Sequence, residues 1–223
     1  MDFSPLYISM KTAIFSTLIT FLLGIFAARK VMNMNEKISW FFDELFTLPL
    51  VLPPTVAGFL LLIIFGKNGM IGKVFEKIGV EIVFTWEATV LAAVVISFPL
   101  MYRSAKGAFE QVDLNLIYAG RTLGISEFKI FCKIVMPLAL PGIVSGGILA
   151  FARALGEFGA TIMIAGNIPG ITQTMPVAIY MAVQGNNMEV AAMWVGIIIV
   201  IAFLAIILMN FVTHKNRSYI KKG

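Results

Sequence analysis

The sequence predicts an all-α, polytopic membrane protein with about five transmembrane helices, its N-terminus outside the cell and its C-terminus in the cytoplasm. Hydrophobic residues make up 59% of the 223 residues and charged residues only 13%, a balance unlike that of a soluble domain. Apolar blocks recur along the chain, and each is about as long as the 20 residues that are needed to cross a bilayer. Because these blocks and their loops use up the length, residues 1–223 are predicted to form a single transmembrane domain.

Five apolar blocks are predicted as spans, at residues 8–28, 45–65, 85–102, 134–155 and 191–212. The first is followed by Arg29 and Lys30, whereas a signal peptide carries its positive charge in front. The second contains Pro49, Pro53 and Pro54, which free backbone carbonyls and bend a helix. It is predicted either as a kinked span beside a pore or as a bent packing helix.

The segments between these blocks are predicted to lie at the membrane surfaces. Residues 66–84 carry a short apolar stripe interrupted by glycines, which indicates a short helix at the outer surface. Residues 160–165 and 175–183 are apolar but too short to span. They are predicted as re-entrant or outer-surface helices.

Positive charge sets the predicted orientation. Twelve of the 17 Lys and Arg residues fall on the predicted cytoplasmic side, within residues 29–40, 103–133 and 215–222. Only Lys11, Lys67, Lys73 and Lys77 fall outside, which agrees with the positive-inside rule. A sixth span made from residues 160–183 would reverse the tail and break this pattern. The net charge of +5 is therefore assigned to the membrane and its lipids, not to nucleic acid.

A polar stretch, residues 113–137, separates the third and fourth blocks. Leu116, Ala119, Gly120 and Leu123 recur at helical spacing, which predicts a short helix with a small, apolar face. Gly124 ends this helix, because glycine adopts the left-handed conformation of a C-terminal cap, and Ser126 is placed to cap a second helix. A helix this short buries too little to hold itself in place, which favours docking in another protein's groove.

This stretch resembles the "EAA…G…I-x-LP" loop of ABC-importer permeases, which implies the type I importer permease fold. In that family the loop, here about residues 113–133, is the coupling helix that docks onto the ATPase subunit. Family positions usually held by Glu, Ala and Leu are occupied here by Tyr118, Gly120 and Met136. An ordinary cytoplasmic loop is the alternative. The resemblance implies these coupling residues: Tyr118, Ala119, Gly120, Arg121, Leu123, Gly124, Ile134 and Pro137.

A second resemblance covers nearly the whole chain. GEFGAT, NIPG and T-x-T-x-P follow one another in residues 152–180, and LPLVLPP and SFPLMYR precede them. In this order they resemble the permease subunits of molybdate ABC importers. Sulfate-importer permeases share the loop and a similar GE-[FY]-G segment, so sulfate or thiosulfate import stays open.

The resemblance implies a prokaryotic cytoplasmic-membrane protein that acts as a homodimer with the path at the subunit interface. Two ATPase subunits would dock on the dimer, and an extracytoplasmic binding protein would deliver molybdate or tungstate. No P-loop pattern occurs in the sequence. ATP and Mg²⁺ are therefore expected on the partner ATPase, and no cofactor on this chain.

Few side chains in the sequence are suited to catalysis or to metal binding. With one histidine, His214, and one cysteine, Cys132, no catalytic or metal site is predicted, which argues against an integral-membrane enzyme. A stand-alone secondary transporter would predict an internal repeat, and none is seen. Arg153 and Glu157 are four residues apart and are predicted to pair, either as a structural ion pair between subunits or beside the translocation path.

A tetrahedral oxyanion requires N–H and hydroxyl donors with little net charge, so that it binds weakly enough to leave. Four side chains after the fourth span meet this description, and they are equally well suited to turns and helix caps. They are Thr161, Asn167, Thr172 and Thr174.

Overall fold

The computed structural model describes residues 2–220, with side chains described for residues 2–211. All regular elements in this range are helical, which confirms the all-α prediction. In chain order they are α1 (Ser4–Met32), α2 (Glu36–Val51), α3 (Pro54–Phe65), α4 (Gly72–Lys77), α5 (Trp86–Glu110), α6 (Leu114–Thr122), α7 (Glu127–Ile130), a π-helical turn (Phe131–Val135), α8 (Met136–Leu155), α9 (Gly159–Ile164), α10 (Met175–Gln184) and α11 (Met188–Ile220).

Among the described residues, four helices are long and apolar enough to cross a membrane. They are α1, α5, the continuous helix Glu127–Leu155 and the Met188–Phe211 part of α11. Helices α2 and α3 meet the same criteria only as a pair, and they bend by 111° at their junction. Residues 2–220 therefore hold four or five candidate spans, which agrees with the prediction of about five.

The bend between α2 and α3 follows from proline chemistry. Helix α2 ends at Val51. Pro53 is the N-cap of α3 and Pro54 its first residue, positions where the missing proline N–H groups leave no helical hydrogen bond unmade. Pro49 lies in the last turn of α2. The predicted kinked span is thus two separate helices.

Helix α5 lies at the centre and runs parallel to α1. The Oγ1 atoms of Thr12 and Thr89 are 2.9 Å apart near the start of both helices. Further along, Gly24 contacts Met101, and a Cβ atom on Gly24 would lie 2.7 Å from Met101 Cγ. Small residues let the two backbones approach closely, which is how membrane helices associate.

Helix α8 runs antiparallel to α5. Gly142 faces Ala108, and Gly146 faces Ser104, each so closely that an added Cβ would lie under 3 Å from the neighbouring Cβ. Helix α5 continues past the predicted span end at residue 102 as far as Glu110. It does so because its last turns keep packing, with Ala105, Ala108 and Phe109 buried.

The short helices α9 and α10 form where short apolar pieces were predicted. Helix α9 is folded back into the helix bundle, because a Cβ atom on Gly58 of α3 would lie 2.6 Å from Ala160 Cα. Helix α10 packs against α1 and α11, and the Met175 N–H donates to Ser9 Oγ at 2.7 Å. Of the two predicted placements, the re-entrant one describes α9.

Part of the orientation argument lies outside the described residues. The predicted cytoplasmic C-terminus depends on the tail, where Lys221 and Lys222 follow the last described residue. The side chains of His214, Lys215 and Arg217 also lie beyond the described side chains.

Candidate functional site

The predicted coupling loop forms a helical hairpin, defined here as residues 113–135 and called the coupling hairpin. Asp113 begins it by accepting a hydrogen bond from the Asn115 N–H at 2.9 Å. Helix α6 ends at Thr122, and Gly124 has a φ of +72°. The Gly124 N–H donates to the Arg121 carbonyl and the Ile125 N–H to the Gly120 carbonyl, each at 3.0 Å. This pair of bonds is a Schellman motif, and the predicted helix end at Gly124 is confirmed.

The turn after Gly124 is closed by an ion pair that the sequence did not indicate. Glu127 accepts hydrogen bonds from Arg121 Nε at 2.7 Å and from Nη2 at 3.2 Å. The Glu127 hydrogen bond raises the pKa of Arg121 above its ordinary value. Because the pair is exposed, it orients the turn more than it stabilises the fold. Ser126 occupies the N-cap position of α7, as predicted, but its side chain makes no capping hydrogen bond.

The two sides of α6 differ in exposure. Leu116, Ala119 and Leu123 are exposed, and Leu123 is 78% exposed. Gly120 is buried instead, and a Cβ atom added to it would lie 3.1 Å from Ile130 Cγ1. The predicted face is therefore not uniformly exposed: at Gly120, α6 rests on the second helix. The exposed side carries these predicted coupling residues: Tyr118, Ala119, Arg121, Leu123 and Gly124.

Ile134 lies in the base of the coupling hairpin, and Pro137 lies two residues beyond it, in the first turn of α8. Ile134 is half-buried within the π-helical turn and packs towards Gly120. Pro137 follows that turn directly. A proline ring clashes with the carbonyl four residues earlier, and a π turn at that point accommodates it. Ile134 therefore helps to position the coupling hairpin, whereas Pro137 is exposed where the hairpin joins α8.

Arg153 and Glu157 pair as predicted, with Arg153 Nη1 2.8 Å from Glu157 Oε2. They do not share a helix, because α8 ends at Leu155. The other carboxylate oxygen, Oε1, accepts a hydrogen bond from the Ala160 N–H at 2.8 Å. Glu157 thus links the end of α8 to the start of α9.

Two of the four predicted oxyanion donors, Asn167 and Thr172, form hydrogen bonds within their own loop. The Thr172 hydroxyl accepts a hydrogen bond from the Ile168 N–H at 3.0 Å, and Asn167 accepts one from Gln173 at 2.9 Å. Both contacts match the turn-and-cap alternative. Thr161 and Thr174 are buried within the protomer. A role for these side chains in oxyanion transport stays a prediction.

Sequence reasoning missed a polar cluster between α2 and α5. Asp43 accepts hydrogen bonds from the Tyr102 hydroxyl and from Lys106 Nζ. One turn further along α2, Thr47 Oγ1 accepts one from Arg103 Nε at 3.2 Å. The partners are 56 to 63 residues apart in the chain, so local spacing carries no sign of them.

These features match a described family. The chain belongs to the family of binding-protein-dependent transport system inner membrane components, which matches residues 20–219. It is therefore a membrane component of a binding-protein-dependent transport system.

Individual relatives of the chain are permeases of named transport systems. The chain is 44% identical to the "Putative molybdenum transport system permease protein YvgM" of Bacillus subtilis (strain 168), over 96% of this chain and 93% of that protein. It is 40% identical to the "Molybdenum transport system permease protein ModB" of Escherichia coli (strain K12), over 97% and 96%. The "Probable sulfate transport system permease protein cysT" of Chlorokybus atmophyticus is 32% identical, over 98% and 76%.

Solved structures support the same fold. An inward-facing structure of the MetNI methionine ABC transporter matches with a TM-score of 0.72, covering 95% of this chain and 94% of that one at 15% identity. A bacterial alginate ABC transporter matches with a TM-score of 0.74, covering 96% and 78% at 15% identity. At this identity the likeness concerns the fold alone, and it confirms the predicted importer-permease fold.

Proposed function

We propose that this chain is the permease subunit of an ATP-driven importer of molybdate or tungstate. The proposal is supported above all by the molybdenum-permease relatives at 40–44% identity over nearly the whole chain. The motifs GEFGAT, NIPG and T-x-T-x-P provide an independent argument from sequence. Two copies would form the path between them, and a binding protein would deliver the oxyanion from outside.

In this proposal the coupling hairpin transmits force from an ATPase subunit. Its exposed side combines apolar and small side chains, including Leu116, Ala119 and Leu123, which suits a groove in a partner protein. The underside is held by Gly120 against Ile130. Because the base continues directly into α8, movement of the hairpin would be passed to the spans. ATP and Mg²⁺ would be held by the ATPase, so this chain would carry out no hydrolysis.

The experiment is to introduce a charge on the exposed side of α6. Ala119→Asp places an unpaired carboxylate in the proposed contact, so we expect the permease to insert and dimerise but to lose its ATPase on purification. Asn187→Asp is the matched control, because it adds the same charge at the N-cap of α11, away from the coupling hairpin and where the helix dipole favours it. Molybdate uptake and ATP hydrolysis should fall together in Ala119→Asp only. Retention of the ATPase by Ala119→Asp would contradict the docking surface.

Sulfate import is the second candidate, because a sulfate permease relative matches 98% of this chain. Uptake of radiolabelled molybdate with a competing excess of sulfate distinguishes the two. We expect unlabelled molybdate and tungstate to compete and sulfate to leave uptake unchanged. Strong competition by sulfate would instead favour the second candidate.

A further inference from the structure

Two interrupted helices meet inside the protein. The first interruption separates α2 from α3 at residues 52–53, and the second separates α8 from α9 at residues 156–158. They touch directly, because a Cβ atom on Gly159 would lie 3.0 Å from Pro54 Cβ and 3.2 Å from the Thr55 nitrogen. Paired interruptions of this kind expose backbone groups at one level of a helix bundle, and in secondary transporters such a level binds substrate.

The depth of the second interruption follows from how α8 packs on α5. Gly146 faces Ser104 in the antiparallel pair. Seven residues further along α8, a rise of about 10 Å, Arg153 comes level with Ser97. Ser97 is the middle of α5, eleven residues from Trp86 and thirteen from Glu110. Because the predicted span ends at residue 102, Arg153 lies inside the span, closer to its cytoplasmic end than to its outer end.

The first interruption lies at the same depth. Helix α2 also runs antiparallel to α5, and its Thr47 contacts Arg103. Six residues further along the chain, Pro53 comes level with about residue 97 of α5. Two registers taken from different helix pairs thus agree, and the direct contact of Gly159 with Pro54 agrees with both.

Arg153 and Glu157, the charged residues at this level, differ in burial and in how many of their polar atoms have partners. Glu157 is 2% exposed; its Oε1 accepts a hydrogen bond from the Ala160 N–H, whereas its Oε2 accepts none and is held by the charge of Arg153. Arg153 is 31% exposed, and a guanidinium has five N–H donors in a planar fork that suits oxyanions. Among the described residues, Glu157 is the one ion-pair partner of Arg153. The arginine therefore keeps donors for a ligand.

Thr55, which contacts Gly159 at the second interruption, adds neutral donors at the same level. Its side chain is exposed on the protomer. The next two N–H groups of α3, on Val56 and Ala57, both donate to the Pro53 carbonyl, whereas a first-turn N–H such as that of Thr55 has no partner within its own helix. A hydroxyl, an N–H and a guanidinium already balanced by Glu157 would hold a divalent oxyanion without trapping it.

We propose that Arg153, positioned by Glu157 and assisted by Thr55, forms a transient binding station for a tetrahedral oxyanion inside the membrane-spanning part of the path. The inference rests on the proposed function, since it assigns a station to the same cargo. The guanidinium donates to the oxyanion oxygens, and Glu157 keeps the site close to neutral so that the ion moves on. The site lies on the exposed surface of the protomer. A second copy of the chain, packed against that surface, would complete it.

The test uses the complete transporter in proteoliposomes, with uptake and ATP hydrolysis measured on the same sample. Arg153→Lys keeps the charge but loses the planar fork, and we expect at least tenfold less molybdate moved per ATP with the complex intact. Thr55→Val should reduce this ratio severalfold. Thr17→Val is its matched control, because the Thr17 hydroxyl bonds the Ala13 carbonyl of its own helix.

Each outcome decides the question. An assembled Arg153→Lys transporter with an unchanged ratio overturns the proposal. If Arg153→Lys does not assemble, Thr55→Val decides alone, and normal transport by that variant overturns the station. Failure of the unsubstituted complex to take up molybdate would count against the proposed function, whereas normal uptake by every variant would count only against the station.

Discussion

At the scale of single residues, Gly124 is the position whose backbone is most constrained by the proposed function. Its φ of +72° closes the Schellman motif, and the space beside its Cα is open within the protomer. A substitution there thus has two separable effects: strain in the backbone and a side chain projecting towards a partner.

We predict that Gly124→Val destabilises the coupling hairpin by about 1–3 kcal/mol, because a β-branched residue is strained at positive φ. The permease should still insert and dimerise but should not retain the ATPase during purification. Thr122→Val is the matched control, since it places the same side chain two residues earlier at an ordinary helical φ. An ATPase that still co-purifies with Gly124→Val and hydrolyses ATP on demand would show that the hairpin is not the coupling element.

At the scale of elements, the Asp43 cluster ties the broken span to the central helix. Asp43 on α2 contacts Tyr102 and Lys106 on α5, and the Asp43 and Lys106 side chains are each about one-fifth exposed. Since α3 bends away at 111°, α2 depends on this cluster and on nearby aromatic contacts, such as Phe46 with Phe98, for its position.

We predict that Asp43→Asn lowers the free energy of unfolding in detergent by about 1–3 kcal/mol, because it leaves Lys106 without its closest charge partner. Asp43→Asn combined with Lys106→Met should recover part of the loss, since no unpaired charge remains. Thermal unfolding of the purified permease measures both. Equal stability of Asp43→Asn and the unsubstituted protein would show that the cluster does not hold α2 in place.

How far the sequence predicts the structure depends on how local each signal is. The helix end at Gly124 can be predicted because adjacent residues decide where a helix ends. About five spans can be predicted because each is one apolar run. The pairing of Asp43 with Lys106 across 63 residues is not local. The burial of Gly120 was not predicted. Periodicity shows which residues share a helix face, but it does not show that Ile130 covers the face at Gly120.

At the scale of the whole molecule, the basic residues gather at one end of the bundle. Arg29, at the end of α1, lies over the ring of Phe131 in the coupling hairpin at 3.8 Å. Lys106, near the end of α5, lies on the same side, because α1 and α5 run parallel. The helix directions therefore agree with alternating spans, and the positive-inside rule assigns the basic end to the cytoplasm.

Cysteine labelling tests this orientation, because the chain has one cysteine, Cys132, and it is exposed in the coupling hairpin. We predict that a membrane-impermeant maleimide leaves Cys132 unmodified in intact cells and modifies it in inside-out vesicles. Gln184→Cys in a Cys132→Ser background should behave in the opposite way, because Gln184 is exposed at the end of α10, on the predicted outer side. Cys132→Ser alone is the control for background labelling. Modification of Cys132 in intact cells would reverse the orientation, and with it the assignment of the coupling hairpin to a cytoplasmic ATPase.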